Sequence, residues 1–185
     1  MAYIGLARPT VAALTEPANT YSEPFTCGKA IQIDITPQYA EGSLYADDVK
    51  AEYDKEFKYA DITLNTSTLP VKAHEVMFGH TVIEGDETIT FRADDEAAYV
   101  GFGFRVAEKV DGVRKYTASW LYKVKFTEGQ ESYKVKGDNI EYQTPSITGQ
   151  AMALSNGQWK EVKMFATETE AIAWLDEKSG KTPPS

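Results

Sequence analysis

Apolar and polar residues alternate with period two through the middle of the chain, as in strands that bury one face and solvate the other. From Lys115 to Phe126, the residues Tyr116, Ala118, Trp120, Tyr122, Val124 and Phe126 fall on one face. Lys115, Thr117, Ser119, Leu121, Lys123 and Lys125 fall on the other. Before them, Val100, Phe102, Phe104 and Val106 share a face, with Gly101 and Gly103 opposite. Asp111-Gly112 separates the two runs and tolerates the positive φ of a tight turn. Residues 97–110 and 113–126 are therefore predicted to form one long antiparallel hairpin. The two glycines inside it leave room for a neighbouring element or for a bend.

Asn156-Gly157 predicts a second hairpin, between 147–154 and 159–165. Ile31, Ile33 and Ile35 alternate with Gln32 and Asp34, and Ala60, Ile62 and Leu64 with Tyr59 and Asp61, which adds strands at 29–36 and 57–65. Strands at this spacing predict a mostly β fold, an antiparallel β-sandwich or barrel, in one domain spanning residues 1–185.

Two short helices interrupt the strands. Between Pro70 and Gly79, Ala73, Val76, Met77 and His80 recur at helical spacing, and proline suits a first turn. The second helix runs over 167–179. Thr167 and Glu170 form a capping box, Ala171, Trp174 and Leu175 a buried stripe, and Gly180 stands where a C-terminal glycine belongs.

Residues 36–57 lack steady periodicity and are predicted to be a long loop. Connections of this length are functional or disordered. The segment holds Glu41, Asp47, Asp48, Glu52, Asp54 and Glu56 against Lys50 and Lys55. It also carries Tyr39, Leu44, Tyr45, Tyr53 and Phe57, more apolar bulk than a solvated excursion needs. Either a floppy excursion or an arm that orders against a partner fits, and the aromatics favour the arm.

Composition narrows the function. There are 19 Lys and Arg against 28 Asp and Glu, for a formal charge of −9. Binding a phosphate backbone needs clustered cations, so a nucleic-acid-binding module is disfavoured. The single cysteine, Cys27, excludes an intramolecular disulfide framework and fits a reducing compartment. The first residues show no cationic segment followed by an apolar stretch, and no run approaches the ~18 apolar residues of a membrane helix. A soluble protein made inside the cell is expected.

No catalytic constellation stands out. His74 and His80 are the only histidines, and their spacing of six puts them about 240° apart on a helical wheel, so no metal site is expected. Cys27 has only Lys29 nearby to activate it and is expected to be an incidental, half-buried thiol. Acid pairs such as Asp47-Asp48 and Asp94-Asp95 lie in polar connections that would not split their pKa values. Charge is unevenly distributed, however. Residues 83–98 carry Glu84, Asp86, Glu87, Asp94, Asp95 and Glu96 against Arg92 alone. Residues 109–125 carry Lys109, Arg114, Lys115, Lys123 and Lys125 against Asp111 alone. Opposite patches of this kind suit either a head-to-tail contact between copies or a solvated mixed surface.

Several long strings are distinctive. They are the opening Met-Ala-Tyr-Ile-Gly-Leu-Ala-Arg-Pro, the run from Ile35 to Asp47 (Ile-Thr-Pro-Gln-Tyr-Ala-Glu-Gly-Ser-Leu-Tyr-Ala-Asp), and Tyr53-Asp-Lys-Glu-Phe-Lys-Tyr-Ala-Asp-Ile-Thr-Leu-Asn-Thr. His74-Glu-Val-Met-Phe-Gly-His80, Tyr99-Val-Gly-Phe-Gly-Phe and the run from Lys136 to Gln150 continue them. Together they resemble the major tail (tail tube) proteins of long-tailed bacteriophages and of prophages in Gram-positive hosts, over nearly the whole chain. The resemblance implies a β-sandwich flanked by a helix, six copies closing into a ring, and rings stacking into a hollow tube. It implies an N-terminal arm over about 1–27 and an inter-subunit loop, here 36–57, that reach adjacent rings. The helix at 70–79 would be the flanking one.

The implied function is structural, in the virion tail, assembled in the host cytoplasm, with neither enzymatic activity nor cofactor. The implied partners are other copies of the chain, a tape measure protein in the lumen, and tail terminator and distal tail proteins at the ends. DNA would pass through without specific binding, and an acidic wall would repel its phosphates. On this reading Tyr39, Leu44, Tyr45, Asp47, Asp48, Tyr53, Lys123 and Lys125 are the candidate self-assembly residues, with the lysines expected to meet acids on a neighbouring subunit. Lys115, Lys123 and Lys125 are expected to share one strand face. The alternative is a β-sandwich binding module for carbohydrate or another surface ligand, which predicts a compact monomer with a concave aromatic patch.

Overall fold

The computed structural model describes residues 2–46, 49–83, 85–130 and 144–181. The fold is mostly β and antiparallel. Ten strands appear in chain order: β1 (Ala2–Thr15), β2 (Thr20–Thr26), β3 (Ala30–Ala46), β4 (Val49–Thr66), β5 (Thr81–Ile83), β6 (Thr88–Thr90), β7 (Tyr99–Val110), β8 (Val113–Thr127), β9 (Ser146–Met152) and β10 (Lys160–Phe165). Two helices, α1 (Val71–Phe78) and α2 (Glu168–Lys178), join them.

The large sheet has the order β2-β1-β7-β8-β9-β4-β3, with β10 also on β8, and β5 and β6 make a separate small ribbon. The sheet curls so that β1 and β3 approach each other. One face packs on α1: Ala73, Val76, Met77 and Phe78 meet Val11, Ile62, Leu64, Val100, Phe102, Leu121, Val124 and Phe126. The other face packs on α2, where Ala171, Trp174 and Leu175 meet Ala12, Ala118 and Trp120.

Both helices end as expected. Gly79 (φ 76°) closes α1, and the Thr167–Glu170 capping box opens α2. Gly180 follows α2 in the left-handed region (φ 75°).

The β7–β8 hairpin forms as predicted, and its glycines make room for Trp120. A Cβ on Gly101 or Gly103 would lie 2.4 Å from the indole. The face pattern of β8 differs from expectation. Tyr116, Ala118, Trp120 and Tyr122 face α2, but Val124 and Phe126 join the α1 side. The register shift between the pairs Val100–Val124 and Phe102–Leu121 explains this, because one extra residue in a strand exchanges its two faces. Lys115, two-residue alternation away from Leu121, is thereby separated from the face of Lys125.

Two further expectations need correction. Residues 36–46 and 49–57 are not a loop: they are the outer parts of β3 and β4, strands of 17 and 18 residues paired from Ala30–Thr66 to Ala46–Val49. The N-terminal residues are not a free arm either, because β1 pairs with both β2 and β7. The Asn156-Gly157 turn exists, with Leu154 N–H donating to the Gln158 carbonyl at 2.8 Å. It does not join a hairpin, though. Residues β9 and β10 run in the same direction along one edge of β8, at Lys123–Thr127 and then Tyr116–Leu121, and 153–159 loop out between them.

Candidate functional site

The most distinctive surface feature is the β3–β4 ribbon. Among the described residues β4 pairs with β9 over Ala60–Asn65, and residues 38–46 and 49–59 find ladder partners only in each other. At about 3.3 Å per residue the ribbon extends roughly 30 Å past the sheet. An isolated two-stranded ribbon is marginal in water, so its root needs bracing. Phe57 stacks on Trp159 of the 153–159 loop, with centroids 4.6 Å apart and planes at 15°. Tyr39 meets Phe57 edge-on at 6.1 Å, and Lys55 Nζ lies 4.1 Å above the Tyr39 ring. Lys55 also pairs with Glu41 at 3.4 Å. Pro37 is tolerated in β3 because, among the described residues, that strand has a ladder on one side only.

Of the residues predicted for self-assembly, Tyr39 sits at this root, partly exposed. Leu44, Tyr45 and Tyr53 lie on the ribbon's distal strands, with backbone pairs Leu44–Glu52, Tyr45–Lys50 and Ser43–Tyr53, and their side chains fall outside the described residues. Asp47 and Asp48 lie outside the described residues altogether.

Lys123 and Lys125 both find acids within their own chain. Lys123 pairs with Glu16 at 2.8 Å and lies 4.2 Å above Tyr99. Lys125 reaches Glu96 at 3.4 Å. Lys125–Glu96 thus joins the basic stretch to the acidic one within the chain, whereas Glu16 lies outside that acidic stretch. Cys27 is fully buried rather than half-buried, and burial pushes its thiol up to about 12, the wrong direction for a nucleophile.

A second constellation lies at the end of α1. Gly79 turns the chain back so that the His80 ring comes 5.8 Å from that of His74. His80 is buried between two carboxylates: Nδ1 is 2.6 Å from Asp95 Oδ2 and Nε2 is 2.6 Å from Glu128 Oε1. The Arg92 backbone N–H donates to the same Asp95 oxygen at 2.8 Å. Burial disfavours a charged His80, but the hydrogen bonds to Asp95 and Glu128 outweigh it and raise its pKa. The hydrogen bond to His80, helped by the Arg92 N–H, lowers that of Asp95. Ligand atoms of His74, His80 and Glu128 lie within 4.8 Å of one another. The expected divergence of the two histidines is therefore wrong. The angles of a helical wheel do not carry to His80, because the helix stops at Phe78.

No family model and no curated protein matches this chain. Among the described residues, no helix is long and apolar enough to cross a membrane. Sequence reasoning missed Asp95 and Glu128 as partners of His80, because they come from a separate turn and from the end of β8. The signal that was available is Gly79, whose left-handed conformation reverses the chain just before His80.

Proposed function

We propose that this chain is a self-assembling structural protein of the phage tail-tube kind, forming hexameric rings that stack into a hollow tube through which DNA passes. The observation that carries this reading, beside the resemblance of the sequence strings, is the ribbon extending roughly 30 Å from the sheet. A two-stranded ribbon of that length gains little within one chain, and docking on another copy gives it a surface to cover. Edge strands add to the argument. Among the described residues β2, β3 and β10 each pair with a single neighbour, and β10 exposes Val162 and Met164. Because the ribbon is already paired in the single chain, its docking carries less ordering cost than a disordered loop would.

The test is negative-stain electron microscopy with light scattering on concentrated protein, beside a variant in which residues 40–55 are replaced by Asn-Gly. Wild-type protein is expected to give rings or tubes with a central channel. The shortened variant is expected to keep its thermal transition and remain monomeric. Tubes formed equally well without the ribbon would refute its role. A wild-type monomer at every concentration, together with saturable binding on a carbohydrate array, would turn the assignment to the surface-binding alternative.

A further inference from the structure

We propose that His74, His80 and Glu128 bind a divalent transition-metal ion of the Zn2+ class, clamping the end of α1 to the end of β8. Two imidazoles and one carboxylate form a set that such ions favour over Mg2+ or Ca2+, which prefer all-oxygen surroundings. The three ligand atoms lie within 4.8 Å of one another. Bonds of 2.0–2.1 Å in a tetrahedron place ligand atoms about 3.3 Å apart. The 2.6 Å contact between His80 Nε2 and Glu128 Oε1 would therefore open slightly, and the widest separation would close.

The movable partner is well placed for this. Glu128 follows the last residue of β8, and its side chain is 45% exposed, whereas His80 is held deep.

Asp95 supplies what a ligating histidine needs behind it. In the tautomer that donates Nδ1–H to Asp95, the Nε2 lone pair is directed at the Glu128 side. The Asp95 oxygen is fixed by the Arg92 N–H. Phe78 and Phe91 flank the rings, with His80–Phe91 centroids at 4.3 Å, so the ion would be partly screened from water. The approach of the two histidines depends on Gly79. Its φ of +76° and the Glu96 carbonyl, 2.3 Å from where a Cβ would stand, together exclude a side chain there. None of this depends on whether the chain forms tubes.

The experiment titrates the full-length protein with Zn2+ by calorimetry and with Co2+ by visible absorption, using Mg2+ for comparison. One Zn2+ per chain is expected, with the intense visible bands of tetrahedral Co2+ and no comparable Mg2+ binding. Glu128→Gln and His74→Ala should each weaken Zn2+ at least tenfold. Asp95→Asn, which takes the negative charge from the orienting partner, should weaken it by about 10–100-fold. His80 is buried and His80→Ala risks misfolding, so the exposed Glu128 carries the decisive variant. Absence of Zn2+ and Co2+ binding to wild-type protein would overturn the site. So would Zn2+ binding unchanged in both Glu128→Gln and His74→Ala, or Mg2+ binding as tight as Zn2+.

Discussion

Replacing Gly103 with alanine tests whether the α2 side of the sheet is packed as closely as the structure shows. The added methyl would stand 2.4 Å from Trp120 Cε3, 2.8 Å from Leu175 Cδ2 and 2.9 Å from Trp120 Cζ3. All three atoms belong to fully buried side chains, so relief requires the sheet and α2 to shift together. Overpacking of this kind costs about 1–3 kcal/mol. The smaller freedom of alanine in the unfolded chain returns about 0.4–1 kcal/mol. A net loss of about 1–2 kcal/mol is expected, which lowers the midpoint of thermal unfolding by about 2–8 °C in a chain of this size. Gly5→Ala is the control, since nothing lies within 4 Å of its Cβ position.

Urea denaturation of Gly103→Ala, Trp120→Phe and the double variant then isolates the contact. Trp120→Phe removes the outer ring that carries Cε3 and Cζ3, so the alanine should cost at least ~0.5 kcal/mol less in that background. A Gly103→Ala protein as stable as wild type, or an equal penalty in both backgrounds, would refute the close packing of indole on glycine.

Two further outcomes are expected. Hydrogen bonds from Lys178 Nζ, at 2.6 Å, and from the Tyr122 hydroxyl hold the Glu161 carboxyl below its ordinary value of 4.5. Their stabilisation is therefore complete above that value and is lost as pH falls through the lowered folded value. Urea midpoints of wild type and Glu161→Gln should differ at pH 7 and converge in the acid range, and a gap that persists there contradicts the linkage. Trp159→Ala should cost about 1 kcal/mol by removing the stack on Phe57. It should also speed amide exchange across residues 55–59 while leaving β7 protected, whereas uniform exchange would show that Trp159 braces nothing locally.

Features with local causes were readable from the sequence. The turn residues Asp111-Gly112, the Thr167–Glu170 box and Gly79 each act within a few residues, and each sits where it was expected. The ribbon was missed because alternation records a buried face, and among the described side chains of the ribbon, at 38–42 and 54–59, none is fully buried. The register shifts at Gln38/Tyr39 and Leu44/Tyr45 blur what periodicity remains. Asn156-Gly157 showed that the chain turns but not what the flanking strands would choose as partners, and the long edge of β8 takes both. The change of face within β8 depends on its register against Val100 and Phe102, a relation between two strands that alternation in one of them does not contain. The histidine cluster draws on α1, on a turn near residue 95 and on the end of β8, so only the tertiary fold unites it.

The continuity of β4 from ribbon into sheet gives the molecule a mechanical character. A pull on the ribbon's tip runs along the strand axis and loads the β4–β9 ladder, Ala60–Ala151 to Asn65–Ser146, in shear. Its hydrogen bonds then resist together rather than opening one at a time from an end. Tension arriving through the ribbon would pass from β9 to β8, at the centre of the sheet, while the Phe57–Trp159 stack holds the point of entry in line. The protrusion is thus tethered like a strap sewn along its length, not hung from a hinge.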